Sequence, residues 1–328
     1  PFSFVDDKIF VGNSLLGVTS LDQLRKLHID PPRVPADEMF DIFDVDIDAI
    51  IHKAADLRRK LASEIDENDP ARNSAAKRRQ LAQLRGVTSE LRKIADGIVA
   101  AGLPLGGKPG RALDEAYENL RIAVKAAHPE SGAVDSTMLD TIIDAGLKPT
   151  VATDYLRWQP NHWIIEAADV FVERGGFDAI VGNPPFLGGS RITGAVGRNV
   201  RDWLVDVLAD ETRGAADLVA YFFLRAKALL NRRGTAGLIA TNTVAQGDSR
   251  FVGLDRMVAS GFSITRAIQS RPWPAATANL EFAAVWGSLA AIADDVPRIC
   301  DDAPVPRIST LLEPAGRVDG KPQRLATT

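Results

Sequence analysis

Cysteine is almost absent. Cys300 is the only one in 328 residues, so no disulfide can close within the chain. Histidine is scarce too: His28, His52, His128 and His162 stand far apart with no metal-ligand spacing, which argues against a structural zinc site. No window approaches the ~20 apolar residues of a membrane span, and the opening PFSFVDDKIF lacks the charged-then-apolar layout of a signal peptide. A reducing cytoplasm, with no metal and no membrane contact, is the expectation. A basic excess is also missing. Against 43 Asp and Glu stand 39 Lys and Arg, a net charge of -4, so any nucleic acid must be met by a local patch. An initiating methionine is lacking as well, and Pro1 opens within strand-like sequence, as expected of a processed or excised piece.

What is present is a globular composition, 45% hydrophobic, enough for one large or two ordinary domains. Lys8 to Val11 reads as a short strand broken at Gly12-Asn13-Ser14. Asn13 there is either a plain turn residue or a ligand contact at a strand's carboxyl end. From about Ala36 to Leu147 the texture turns helical. Ile47, Ile50, Ala54, Leu57, Leu61 and Ile65 recur at steps of three and four, as do Leu81, Leu84, Leu91, Ile94 and Ile98 beyond Asn68-Asp69-Pro70. This predicts a helical hairpin turning at the proline. Its second arm carries Arg72, Lys77, Arg78, Arg79, Arg85, Arg92 and Lys93, either a solvated face or a surface for phosphates. Gly102 to Pro109 has the glycine and lysine spacing of a phosphate loop, but Pro109 stands where a hydroxyl is needed and a helix precedes it. It reads as a helix connection.

After Lys148 strands and helices alternate, which predicts an α/β sheet covered by helices. Trp163 to Val172 is apolar and of either type. Phe177 to Val181 reads as a buried strand, Asp217 to Leu230 as a helix stopped near Asn231-Arg232-Arg233-Gly234, and Gly237 to Thr241 as a strand. Phe251 to Ser260 reads as a helix, with strands at Ser263 to Gln269 and Leu280 to Trp286. The Pro-, Asp- and Arg-rich end from Val296 looks like a linker. The stretch Asn183-Pro184-Pro185-Phe186 after the first of these strands allows neither helix nor continued pairing. The Asn183 side-chain oxygen and the Pro184 carbonyl offer two acceptors to one planar amino group, such as adenine N6, and Phe186 offers a face on which a flipped base can stack. Between Ser190 and Arg201 a loop with Arg191, Arg198 and Arg201 can meet a nucleic-acid backbone.

Asn183-Pro184-Pro185-Phe186 resembles the catalytic motif of S-adenosylmethionine-dependent amino methyltransferases. The wider string VFVERGGFDAIVGNPPF resembles the large single-chain, MmeI-like (type IIG/IIL) bacterial DNA N6-adenine methyltransferases of restriction-modification and phage-defence systems. Gly12 to Gly17 resembles that family's third motif, although its usual Asp is Asn13 here; Asp217 to Phe223 resembles its next helix, and Ile239 to Gly247 its next strand and loop. Arg271-Pro272-Trp273-Pro274 followed by Ala278 to Trp286 resembles its final hairpin. The resemblance implies a partial Rossmann-like methyltransferase sheet with a large helical insertion. The implied division is 1–35 for the start of the core with its third strand, 36–148 for the insertion, 149–295 for the catalytic core and 296–328 for a linker towards target recognition. It implies Asn183, Pro184, Pro185 and Phe186 as catalytic residues, Asn13 and Ser14 as contacts to S-adenosylmethionine, and Arg191, Arg198, Arg201, Asn242, Gln246 and Trp273 as contacts to double-stranded DNA. Other restriction or defence subunits or fused domains are further partners it implies. The family's glycine-rich cofactor loop does not precede Lys8, so the isolated chain is expected to be inactive or very weak. Methylation of ribosomal RNA or of protein glutamine, and a non-catalytic module that binds DNA or a partner, remain open alternatives.

Overall fold

The computed structural model describes residues 8–35, 45–63, 70–274, 281–293 and 295–315, with the side chains of 63 and 70–74 excepted. The chain divides into two compact units, one made of Pro1–Phe177 with Ser190–Arg213, the other of Asp178–Gly189 with Gly214–Thr328.

The first unit is helical. Ser20 opens α1 (Leu21–Arg25) with a capping box, its hydroxyl accepting from the Gln23 amide while the Gln23 side chain returns to the Ser20 amide. Next come α2 (Ile47–Ser63) and α3 (Pro70–Gly102), the two arms of the expected hairpin. The turn before Pro70, the position Ile65 and the stretch 36–44 lie outside the described residues. The three-and-four spacing of apolar residues does what it predicts: Ile47, Ala54, Leu57 and Leu61 on α2, and Leu84, Leu91, Ile94 and Ile98 on α3, are buried in one core. Each Leu and Ile among them contributes about 1.5–3 kcal/mol on leaving water. The packing continues through α4 (Arg111–Ala127) and α5 (Thr137–Gly146). Gly102 to Pro109 is the expected helix connection, a short 3-10 turn followed by Gly106 and Gly107 at φ 65 and 66.

Trp163 to Val172 resolves as helix, α6 (Trp163–Glu166) and α7 (Ala168–Arg174). Ion pairs tie these to the hairpin: Arg58 to Asp169 at 2.7 Å, Arg59 to Glu173 at 3.2 Å, and Arg92 to Glu166 through both terminal guanidinium nitrogens. Lys93 pairs with Asp140 at 2.7 Å. Part of the basic arm is therefore spent on internal pairing. The remaining described Arg residues, Arg78, Arg79 and Arg85, are exposed.

The second unit carries a sheet with the order β1-β2-β4-β3-β5-β6. Its strands are β1 (Phe177–Gly182), β2 (Leu230–Thr241), β3 (Ser263–Pro272), β4 (Glu281–Ser288), β5 (Arg298–Cys300) and β6 (Ala303–Val305). Asp178 meets Asn231 and Thr235 of β2, while Gly182 approaches Leu238, so β1 and β2 run in the same direction. β4 lies antiparallel between β2 and β3, which makes β3 parallel to β2. This is the α/β class expected, built from the parallel strand-helix-strand run that begins a Rossmann-like sheet. The helices of this unit are α10 (Leu218–Leu229), α11 (Gly247–Arg250) and α12 (Arg256–Ala259), the last two joined by a π-helical turn, whereas α8 (Gly189–Val196), past its first residue, and α9 (Arg198–Trp203) belong to the first unit. Val219, Phe223 and Ala226 of α10 pack on Leu238, Ala267 and Val285 of the strands.

Several expectations need correction. Lys8 to Val11 is not a strand: among the described residues its exposed Ile9 and Val11 find no ladder, and the pairing nearby is an isolated bridge from Asn13 to Pro160. β1 is not the buried strand expected: among the described residues it stands at the end of the sheet order, and Asp178, Ala179 and Val181 are exposed. The Asn231 to Gly234 stretch follows the end of α10 at Leu229, as expected, but β2 starts at Leu230 rather than at Gly237 and runs through it. Ser190 to Arg201 is helical rather than a loop. From Arg298 the chain is not a linker: β5 pairs parallel to β3, and β6 returns through Asp301 and Asp302, both at positive φ, a left-handed pair that suits a tight hairpin. Leu312 is buried in the same core. Residues 316–328 lie outside the described part.

Candidate active site

β1 delivers Asn183 to its carboxyl end. Gly182 allows the approach to β2, since a Cβ there would lie 3.0 Å from Leu238 Cδ2. Past it the backbone runs irregularly to Gly188; Pro184 is buried, Phe186 half-buried, and Asn183 and Pro185 exposed. The two prolines withdraw two N–H donors and fix their own φ, so the corner is rich in acceptors. Among the described residues Asn183 makes no side-chain hydrogen bond within the chain, which leaves its amide available.

The far end of this loop is anchored. The Leu187 carbonyl accepts from the Leu218 amide at 2.9 Å, and the Gly189 amide donates to Asp217 Oδ1 at 3.0 Å. Gly189 has no room for a side chain, because a Cβ would sit 2.2 Å from the Ala215 carbonyl oxygen. Asp217 Oδ2 accepts from the Thr243 hydroxyl, whose oxygen is 2.6 Å from Thr241 Oγ1. The segment before α10 is fixed from its other side, with the Ala215 amide donating to Asp248 and the Asp217 amide to Ser249 Oγ.

Thr241 ends β2 and pairs with Phe282, which in turn pairs with Arg271 near the end of β3. The carboxyl ends of β1, β2 and β3 therefore share one edge of the sheet. Asn242 is half-buried and Gln246 exposed in the turn after β2, and Trp273 follows β3 with its ring edge-on to Phe282 at 5.5 Å. The structure thus brings Asn183 to Phe186, Asn242, Gln246 and Trp273 to one sheet edge. The hairpin tip at 275–280 lies outside the described residues. Sequence reasoning missed Asp217 and Thr243 as connectors; Asp217 stood out only as the first residue of a helix, and its partners are 28 and 26 residues away.

The other expected site residues belong to the helical unit. Asn13 forms a tight turn: its Oδ1 accepts from the Leu15 and Leu16 amides at 3.0 and 3.2 Å, and its backbone bonds to Gln159 and Asn161. Gly12 and Gly17 are needed there because a Cβ on either would meet Asn161 at 2.3 or 2.2 Å. The Ser14 carbonyl accepts from Trp163 Nε1. Asn13 Nδ2 remains as a donor and suits a ring-nitrogen acceptor on the adenine of S-adenosylmethionine. An acidic residue here would offer the opposite polarity. The described residues fit that one edge of the cofactor. Arg191 and Arg198 are exposed and Arg201 half-buried beside Asp202. Among the described residues no cluster of His, Cys, Asp and Glu is placed to hold a metal, and no helix is long and apolar enough to cross a membrane.

No curated protein matches the chain. Among solved structures it is similar to the type IIL restriction-modification enzyme MmeI in complex with DNA, at 13% identity and a TM-score of 0.36, over 84% of this chain. The chain spans 41% of the length of that one. The family model described as Eco57I restriction-modification methylase matches residues 41–269. That match takes in the helices from α2 to α12, the Asn183 corner, β1, β2 and most of β3, and the chain belongs to the Eco57I restriction-modification methylase family.

Proposed function

We propose that this chain carries the amine-holding part of a DNA methyltransferase that methylates adenine N6 on a flipped base, using S-adenosylmethionine. The observation that carries the reading is the Asn183 corner: an exposed amide at the end of a parallel strand, stiffened by two prolines, beside a half-buried Phe186. An exocyclic amine is a poor nucleophile because its lone pair is delocalised into the ring. Asn183 Oδ1 and the Pro184 carbonyl accept its two hydrogens, localise the lone pair and stabilise the positive charge that develops on nitrogen. Phe186 stacks on the base, contributing about 1–3 kcal/mol. The cofactor, when bound, supplies an electrophilic methyl group. Asn13 Nδ2 donates to its adenine edge, with Ser14 beside it. Asn242, Gln246 and Trp273 line the base side, and Arg191, Arg198 and Arg201 meet the phosphates, a term that weakens with salt.

The test is transfer of labelled methyl from S-adenosylmethionine to duplex DNA by the full-length protein, with the product identified in a nucleoside digest. N6-methyladenine is expected, and Asn183→Ala lowers the rate at least 10²-fold if the two acceptors do what is proposed. Label only in protein or ribosomal RNA overturns the substrate, and an unimpaired Asn183→Ala enzyme overturns the mechanism.

A further inference from the structure

Asp217 immediately precedes α10, the place where an aspartate usually caps a helix by accepting from its first amides. Here it makes no such bond. Its two oxygens instead go to two different loops, Oδ1 to the Gly189 amide and Oδ2 to the Thr243 hydroxyl. The side chain is half-buried, and both donors are neutral. A carboxylate held in this way forms charge-assisted bonds, shorter and stronger than neutral ones. The next residue, Leu218, donates its amide to the Leu187 carbonyl at 2.9 Å. Two consecutive residues thus grip the far end of the Asn183 loop, while the same carboxylate holds the turn that begins at Asn242.

We propose that Asp217 is a positioning residue: by bonding Gly189 and Thr243 at once it sets the spacing between the amine-holding corner and the turn after β2. The inference rests on the methyltransferase reading above. Asp217 touches neither base nor methyl donor in this role. It acts through Leu187 and Gly189 on where Asn183 and Phe186 stand. Displacement of a reacting group by about 1 Å costs on the order of 10²-fold in rate, so loosening this clamp lowers turnover without altering affinity for the methyl donor.

The variants are Asp217→Asn, which cannot accept from both donors, Thr243→Val, which removes the hydroxyl, and Thr243→Ser, which keeps it. Three readouts apply: kcat and KM for the methyl donor in the full-length protein, melting temperature, and amide hydrogen exchange at residues 187–189. Expected are a 10- to 100-fold loss of kcat in Asp217→Asn and Thr243→Val with donor KM and melting temperature unchanged, near-parent turnover in Thr243→Ser, and at least tenfold faster exchange at Gly189 in the first two. Parent-like kcat in both, or a loss that tracks a fall in melting temperature, overturns the proposal. If the parent itself transfers no methyl group, the methyltransferase reading fails and exchange alone decides: unchanged protection of Gly189 overturns the clamp, and faster exchange upholds it.

Discussion

His28 is 2% exposed, its ring 4.0 Å from that of Tyr117 and its Nδ1 accepting from the Asp30 amide. Burial pushes its pKa down to about 4, against a partial counter-pull from Asp30. The folded chain therefore binds fewer protons at this site than the unfolded chain between pH about 6.5 and about 4. Its neutral form supports the fold fully above that window, and the support drains away as pH falls through it, by roughly 3 kcal/mol at most. Urea melts between pH 7 and 4 should show this loss, with a flatter pH slope in His28→Gln; an unchanged slope would mean that another group titrates. None of this was legible in a lone histidine. The Asn183 corner was legible, because proline, glycine and a preceding apolar run act locally. Asp217 was not, since its partners come to it only through the fold.

Between elements, single atoms decide the packing. Gly146 at the end of α5 lies so close to α3 that a Cβ would stand 2.1 Å from the Ala100 carbonyl oxygen. Gly146→Ala should cost about 1–3 kcal/mol in chemical denaturation, through forced displacement of the helix pair. A milder change, Ser20→Ala, removes half of the capping box and should cost about 1 kcal/mol. Helices α2, α3 and α10 could be read from spacing because each buries one stripe or nearly all of its length. The strands were harder. Asn231 to Gly234 has the composition of a helix stop and α10 does end before it, but composition cannot announce that β2 starts there, since its partner strand comes from elsewhere in the chain. The same holds at Arg298 to Val305, where a proline and three charges suggest a linker, but pairing with β3 and the Asp301-Asp302 turn make a hairpin.

At the scale of the whole molecule, alternation after Lys148 and the charged helical stretch before it announced a sheet-bearing part and a helical part. The division into units was not visible, because the chain passes between them three times, at 177/178, 189/190 and 213/214. A fragment comprising 214–328 lacks β1, and with it the partner strand of Asn231 and Thr235, so an unpaired β2 edge is exposed to other copies. Such a fragment should self-associate in sedimentation, and a version with 178–189 joined through a flexible linker should sediment as a smaller species. The interleaved chain also bears on heredity. A crossover that swaps only one stretch of gene leaves the Asn183 corner behind with its old host or carries it without Asp217. Recombination between relatives can therefore exchange the Asn183 corner together with Asp217 only as two segments together or as the whole span from Asp178 onward.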